Sequence, residues 1–142
     1  MDNTKEMLTL AVEIGDAMLR CGAEIYRVED SVIRILEALG LDDFDAYVLS
    51  NGIFASANES REDACSVVRY VPLSATHLGK LVALNQLTRD ICNHKCSVAE
   101  ASERLKQCKK IPVYANAVQL LACGIGCAAF TFMFGGHLPE AL

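Results

Sequence analysis

From Ile111 to Gly136 the chain has no Asp, Glu, Lys or Arg, a run of 26 residues without charge. All 13 Lys and Arg lie at or before Lys110. A helix needs about 20 mostly apolar residues to cross a hydrocarbon core roughly 30 Å thick, and this run is long enough. It also lacks the alternation of a strand. The alternative is a buried central helix of a soluble domain, but such helices are usually shorter and keep a polar edge. The run therefore reads as a membrane span. Ala115, Ala117, Ala122, Gly124, Gly126, Ala128 and Ala129 suit it to close helix–helix contact in lipid.

Other absences narrow the function classes. With a net charge of -5 the chain has no excess of base, which excludes the basic face that nucleic-acid binding needs. The N-terminus, MDNTKEMLTL, is acidic and amphipathic rather than basic and then apolar, so it is no secretory signal peptide. Internal repeats, low-complexity tracts and heptad runs are missing. So are the G-x-S-x-G, H-E-x-x-H and P-loop patterns, which leaves no recognisable catalytic motif. The seven cysteines are an odd number, and without a signal peptide they read as reduced thiols. Cys92-Asn-His94-Lys-Cys96 comes nearest to a metal motif. On a helix its two Cys would share a face while His94 points elsewhere, and Cys108 is the candidate further ligand. Structural zinc sites use paired Cys units, so the thiols read as core filling, and no metal or other cofactor is expected.

What is present reads as a small α+β domain. Asn3-x-x-Glu6 has the form of a capping box. Apolar residues then recur with a helix period at Met7, Leu10/Ala11, Ile14, Met18 and Cys21. Gly22 punctuates this helix, and a second runs from Ala23 to about Leu39, stopped by Gly40. Asp42 to Asp45 forms an acidic connector. Ala46–Leu49 and Ile53–Ala57 read as strands, with Asn51-Gly52 as the hairpin signal between them. Asn58–Asp63 reads as a turn and Ala64–Val71 as a third strand, giving a three-stranded antiparallel sheet covered on one face by helices. The helix period returns from His77 to about His94. Ser97-Val-Ala-Glu100 is a second capping box opening a short polar helix to Lys110, and Pro112 fits the first turn of the apolar helix. The expected organisation is a cytoplasmic domain over residues 1–110, a transmembrane helix over 111–136, and the start of a further membrane region over 137–142. Lys106, Lys109 and Lys110 precede the span and no Lys or Arg follows it, which places residues 1–110 on the cytoplasmic side.

The densest polar cluster is Cys21-Gly-Ala-Glu24-Ile-Tyr26-Arg27-Val-Glu29-Asp30. It reads either as a solvated helix face, with charge pairs worth a few tenths of a kcal/mol each, or as a grip for a small zwitterion or anion. His77 with Glu24 or a cysteine is the one hydrolase arrangement available. Within the apolar run Asn116 and Gln119, three apart, lie near one helix face, as interhelical contacts or pathway lining.

The segment from Cys21 through Gly-Ala-Glu-Ile-Tyr-Arg-Val-Glu-Asp-Ser-Val resembles the N-terminal domain of the threonine/serine exporter family. The resemblance continues through Asn51-Gly52-Ile53 and the Ser97–Leu105 helix to Phe134-Gly135-Gly136. It implies export of threonine and serine, or of small dicarboxylates such as succinate in the two-subunit kind, across a bacterial inner membrane. The implied partners are the remaining membrane helices of the same subunit or a second small membrane subunit, and the lipid bilayer, with homo-oligomers allowed. Gly22, Glu24, Tyr26, Arg27 and Glu29 are the positions matching the motif. One helix cannot enclose a pathway, so the chain is expected to be a piece of a longer subunit. A membrane-tethered domain that binds a small metabolite is the alternative from another class, and a hydrolase the third.

Overall fold

The computed structural model describes residues 2–58, 64–72 and 74–136. The chain divides into two compact units, Met1–Ile111 and Pro112–Leu142. Among the described residues there are five helices and three strands, the α+β mixture expected from the sequence.

In the first unit the N-terminal helix is the hub. α1 (Asp2–Arg20) buries Leu8, Leu10, Ala11, Val12, Ile14, Ala17 and Met18, more than half its circumference. A helix apolar over so wide an arc must be surrounded, and α1 packs on four neighbouring elements described below, as well as on α2 (Ile25–Ala38). Asn3 lies inside α1 rather than at its cap, so the expected first capping box is absent. The cause is packing: Thr4 is already buried, so tertiary contact carries the helix past Asn3.

β1 (Phe44–Leu49), β2 (Gly52–Asn58) and β3 (Ala64–Tyr70) form an antiparallel sheet in the order β1-β2-β3. Val48, Ile53, Ala55 and Ala57 face the helices and are buried, with Phe44, Ala46, Cys65 and Val67 packed beside them. α1 lies against β2 and β3, and α2 against β1. The hairpin turn is Ser50-Asn51, one residue earlier than the Asn51-Gly52 turn expected, because Leu49 pairs with Gly52. None of these turn residues has a positive φ. A turn at Asn51-Gly52 would set Ser50 inward opposite Ile53. The observed register instead sets Val48 opposite Ile53 and Phe44 opposite Ala57. Moving the turn by one residue shifts the pairing by two, so Phe44 and Val48 face inward either way. The observed register keeps Phe44 paired within β2 and leaves Ser50 exposed in the turn instead of facing inward. The acidic connector therefore ends at Asp43. The turn expected over Asn58–Asp63 lies, beyond Asn58, outside the described residues.

α3 (Leu78–Cys92) and α4 (Val98–Lys109) complete the unit, packing on each other and on α1. The Ser97 capping box is present: the Ser97 Oγ accepts the Glu100 N–H at 3.3 Å and Glu100 Oε2 accepts the Ser97 N–H at 2.8 Å. Arg104 donates to Asp90 at 2.6 Å, joining the two helices and holding the Asp90 carboxyl below its usual range.

Four helices end in the same way. The residue two past the C-cap bonds back to the carbonyl five residues earlier and its predecessor to the carbonyl three residues earlier, the Schellman arrangement. The bonds are Ala23 to Met18 and Gly22 to Leu19 for α1, and Leu41 to Leu36 and Gly40 to Glu37 for α2. For α3 they are Lys95 to Asp90 and His94 to Ile91. Glycine fills the left-handed position in every case but α3, where His94 has φ 54°. This turn also ends α3 at Cys92, so Cys92 and Cys96 do not share a helix face as expected. A non-glycine residue in this conformation costs about 1–2 kcal/mol. His94→Gly is therefore expected to stabilise the domain by roughly 0.5–1 kcal/mol after the unfolded-state entropy of glycine is set against it. A thermal melt of the two proteins checks this, and a lowered melting temperature would contradict it.

The second unit contains α5 (Asn116–Met133), 18 residues with no charge and none buried. At 1.5 Å per residue it is about 27 Å long, long and apolar enough to cross a membrane. Pro112 does not sit in its first turn as expected. Residues 112–115 are irregular, since β-branched Val113 and aromatic Tyr114 are weak helix formers. The end of α5 is the fourth Schellman turn: Gly135 has φ 82°, and Gly136 N–H bonds to Thr131 O at 2.9 Å. Residues 137–142, expected to begin a further membrane region, lie outside the described residues.

Candidate functional site

The motif around Gly22 lies at the joint between α1 and α2. Met18 and Cys21 anchor the end of α1 in the core, and Gly22 reverses the chain with φ 85°. A Cβ on Gly22 would stand 2.7 Å from Thr76 Oγ1, so the glycine also permits a second strand of chain to pass. That strand is fixed by the His77 N–H donating to Cys21 O at 3.1 Å. His77 Nδ1 then accepts the Lys80 N–H at 3.2 Å, capping α3. His77 is thereby placed in a structural role, as the cap of α3 and the tie to the α1–α2 joint.

Glu24 occupies the cap position of α2 but makes no side-chain cap bond. Its carboxylate instead pairs with Arg27 at 3.6 Å, and both side chains are about two-thirds exposed, at 64% and 69%. One turn further, Arg34 pairs with Asp30 at 3.7 Å. Tyr26 is 66% exposed. Exposed pairs of this kind contribute about 0–1 kcal/mol, so they do not explain the fold. They form an open face of alternating charge with one phenol.

Glu29 leaves that face. Its Oε2 accepts the Val48 N–H at 3.0 Å, tying α2 to β1. The sequence placed Glu29 with Glu24, Tyr26 and Arg27, and helical spacing alone gave no sign of the strand beside it. The structure thus brings Glu24, Tyr26 and Arg27 onto exposed positions of one helix and gives Glu29 a packing role. Asn116 and Gln119 belong to α5 in the second unit. Gln119 Nε2 donates to Tyr114 O at 2.6 Å, closing over the start of α5.

A groove between α1 and α4, not foreseen from the sequence, encloses about 610 Å³. Leu10, Leu105 and Val98 form its floor, with Lys5, Glu6, Glu13 and Lys106 around it. Glu13 receives Lys109 at 2.8 Å and Arg69 at 3.7 Å, joining α1, β3 and α4. Three helix residues of α1 at spacings of four (Lys5, Thr9, Glu13) are the signal that could have located it.

Four of the thiols are held away from reactivity. Burial pushes the Cys21, Cys92, Cys96 and Cys108 pKa values up, away from the thiolate that nucleophilic or metal chemistry needs. Among the described residues no three His, Cys, Asp or Glu side chains cluster closely enough to hold a metal ion.

No curated protein and no solved structure matches the chain. The family model of the threonine/serine exporters, ThrE, matches residues 9–142. That span takes in the joint motif, the sheet, both later helices of the domain and all of α5. The chain therefore belongs to the threonine/serine exporter family, a family of transporters rather than of enzymes.

Proposed function

We propose that the chain is the cytoplasmic domain and first membrane helix of an exporter subunit for threonine, serine or small dicarboxylates. The observation that carries this reading is the family match running unbroken from the folded domain through α5. In this reading residues 1–110 face the cytoplasm of a bacterial cell and α5 crosses the inner membrane, with Lys106, Lys109 and Lys110 at its cytoplasmic end. The remaining helices of the pathway come from the same subunit or from a second small membrane subunit, because a pathway needs several helices around a cavity. Asn116 and Gln119 are the polar groups of α5 available to such neighbours.

Glu24, Tyr26 and Arg27 form the coupling face in this reading. They are exposed, they carry complementary charge, and their ion pair adds little to stability. Arg27→Ala and Glu24→Ala are expected to leave the melting temperature within about 0.5 kcal/mol equivalent of the parent. They are also expected to lower efflux of labelled threonine or serine several-fold in cells expressing the whole transporter. Efflux unchanged at equal protein level would make the face ordinary solvated surface. Glu29→Ala is not a suitable probe, since loss of its bond to Val48 N–H disturbs the fold itself.

A membrane-tethered metabolite sensor is the second reading, favoured by the α1–α4 groove. Calorimetric titration with threonine, serine and succinate separates the two readings when run beside the efflux assay. Binding without efflux supports the sensor.

A further inference from the structure

An antiparallel sheet with one face on a core normally turns polar residues outward. Here the outward face is apolar. Tyr47, Phe54 and Val68 are direct cross-strand partners, forming one row across all three strands. They are 59%, 43% and 65% exposed. The adjacent row is Leu49, Gly52 and Tyr70, with Leu49 38% and Tyr70 71% exposed. The Phe54 ring leans over Gly52, where its Cε2 would lie 3.6 Å from an added Cβ. The next row, Asp45, Ser56 and Ser66, is polar. The alternation that buries Val48, Ile53 and Ala55 on one side thus places five large apolar side chains in water on the other.

With large aromatic side chains of about 150–250 Å² each, the exposed parts of these five residues make a patch of roughly 400–500 Å². Such a patch reaches the upper range for a monomer surface, where patches usually mark an interaction site.

We propose that this sheet face is the contact between two copies of the chain. Two arguments select a second copy as occupant. The first is area: pairing two such patches buries roughly 1,000 Å² in all once the rim is included, about the threshold for a specific interface. The second is the layout of the face, which is self-complementary about an axis along its central strand. A two-fold axis running along β2 sets Phe54 against Phe54, Tyr47 against Val68, and Leu49 against Tyr70 of the copy. The same axis lays Asp45 opposite Ser66, so the only charge on these three rows does not meet its own image. Sheets packed face to face in this way keep their strands within about 30° of each other, and the isologous arrangement closes on itself as a dimer.

The test is photo-crosslinking of the full chain in its native membrane. Benzoylphenylalanine replaces Tyr47, an exposed aromatic, so the fold is kept; a control protein carries it at exposed Glu103 on α4. Irradiation is expected to give an adduct of twice the chain mass from position 47 but not from position 103. Mass spectrometry of mixed isotope-labelled chains should then place the link in the copy's residues 64–70. Phe54→Asp in the same background is expected to reduce the adduct at least tenfold, with the melting temperature checked to show that the fold survives. Adducts to lipid or to a different protein, or no adduct from position 47, would overturn the proposal.

Discussion

Gly15→Ala is expected to destabilise the domain by about 1–2 kcal/mol, lowering its melting temperature by roughly 5–10 °C. On an exposed helix the same change would be favourable, because alanine gains up to about 1 kcal/mol over glycine in helix propensity. Here the site is buried where α1 crosses α2 and β2. A Cβ at residue 15 would stand 2.9 Å from both Ile53 Cδ1 and Val32 Cγ2, and 3.3 Å from Val28 Cγ1. Ile53 and Val32 are fully buried, at 0% exposure each. Val32 is β-branched and held on a helix, so it has little rotamer freedom with which to give way. Overpacking of this kind costs about 1–3 kcal/mol and outweighs the propensity gain. Val32→Ala in the Gly15→Ala background should recover part of the loss, since the two residues contact each other and their effects are not additive. A melting temperature that stays level or rises would mean that α1 does not approach the sheet this closely.

Gly22→Ala is the second large effect, and it separates into two parts. The left-handed backbone at φ 85° costs an alanine about 1–2 kcal/mol whatever the space around it. The clash with Thr76 Oγ1 at 2.7 Å adds to that cost. Thr76 is exposed and can shift, so the steric part is the smaller of the two. The total expected loss is about 2–3 kcal/mol. Thr76→Ala should return the steric part, which a double-mutant cycle reads directly, and should leave the backbone part in place. Complete rescue by Thr76→Ala would contradict the left-handed assignment. Gly22 thus acts as the joint of the motif, while Glu24 and Arg27 pair with each other at the surface.

Much of this fold is legible from periodicity. The stripe in α1, the Val28-Val32-Ile35/Leu36 stripe in α2 and the Ser97–Glu100 box each state a helix through side chains that meet within one turn. The three strands are visible as short apolar runs. Where the sequence misleads, a partner distant in sequence decides. Asn51-Gly52 carries the strongest local turn signal, yet the turn falls one residue earlier, which keeps Phe44 paired with Ala57 and leaves Ser50 exposed in the turn instead of facing the core. Asn3 looks like a cap, yet α1 is built outward by its contacts with the rest of the unit.

The candidate site was legible only as a motif. Glu24, Tyr26, Arg27 and Glu29 are inseparable by spacing, and only the strand lying beside α2 reveals that Glu29 holds Val48. The α1–α4 groove joins residues about 90 positions apart, such as Glu13 and Ser102, and no local pattern connects them. The aromatic sheet face was hidden by the same limit. Tyr47, Phe54 and Val68 become a row only once the register is known.

The most direct measurement is efflux of preloaded, labelled threonine and serine from cells expressing the whole transporter, compared with cells lacking the gene and with succinate run in parallel. Faster loss of at least one of these substrates from the expressing cells is the expected result for a member of this family acting as an exporter. Equal loss of all three from both cells, with the protein present in the membrane fraction, would contradict the account.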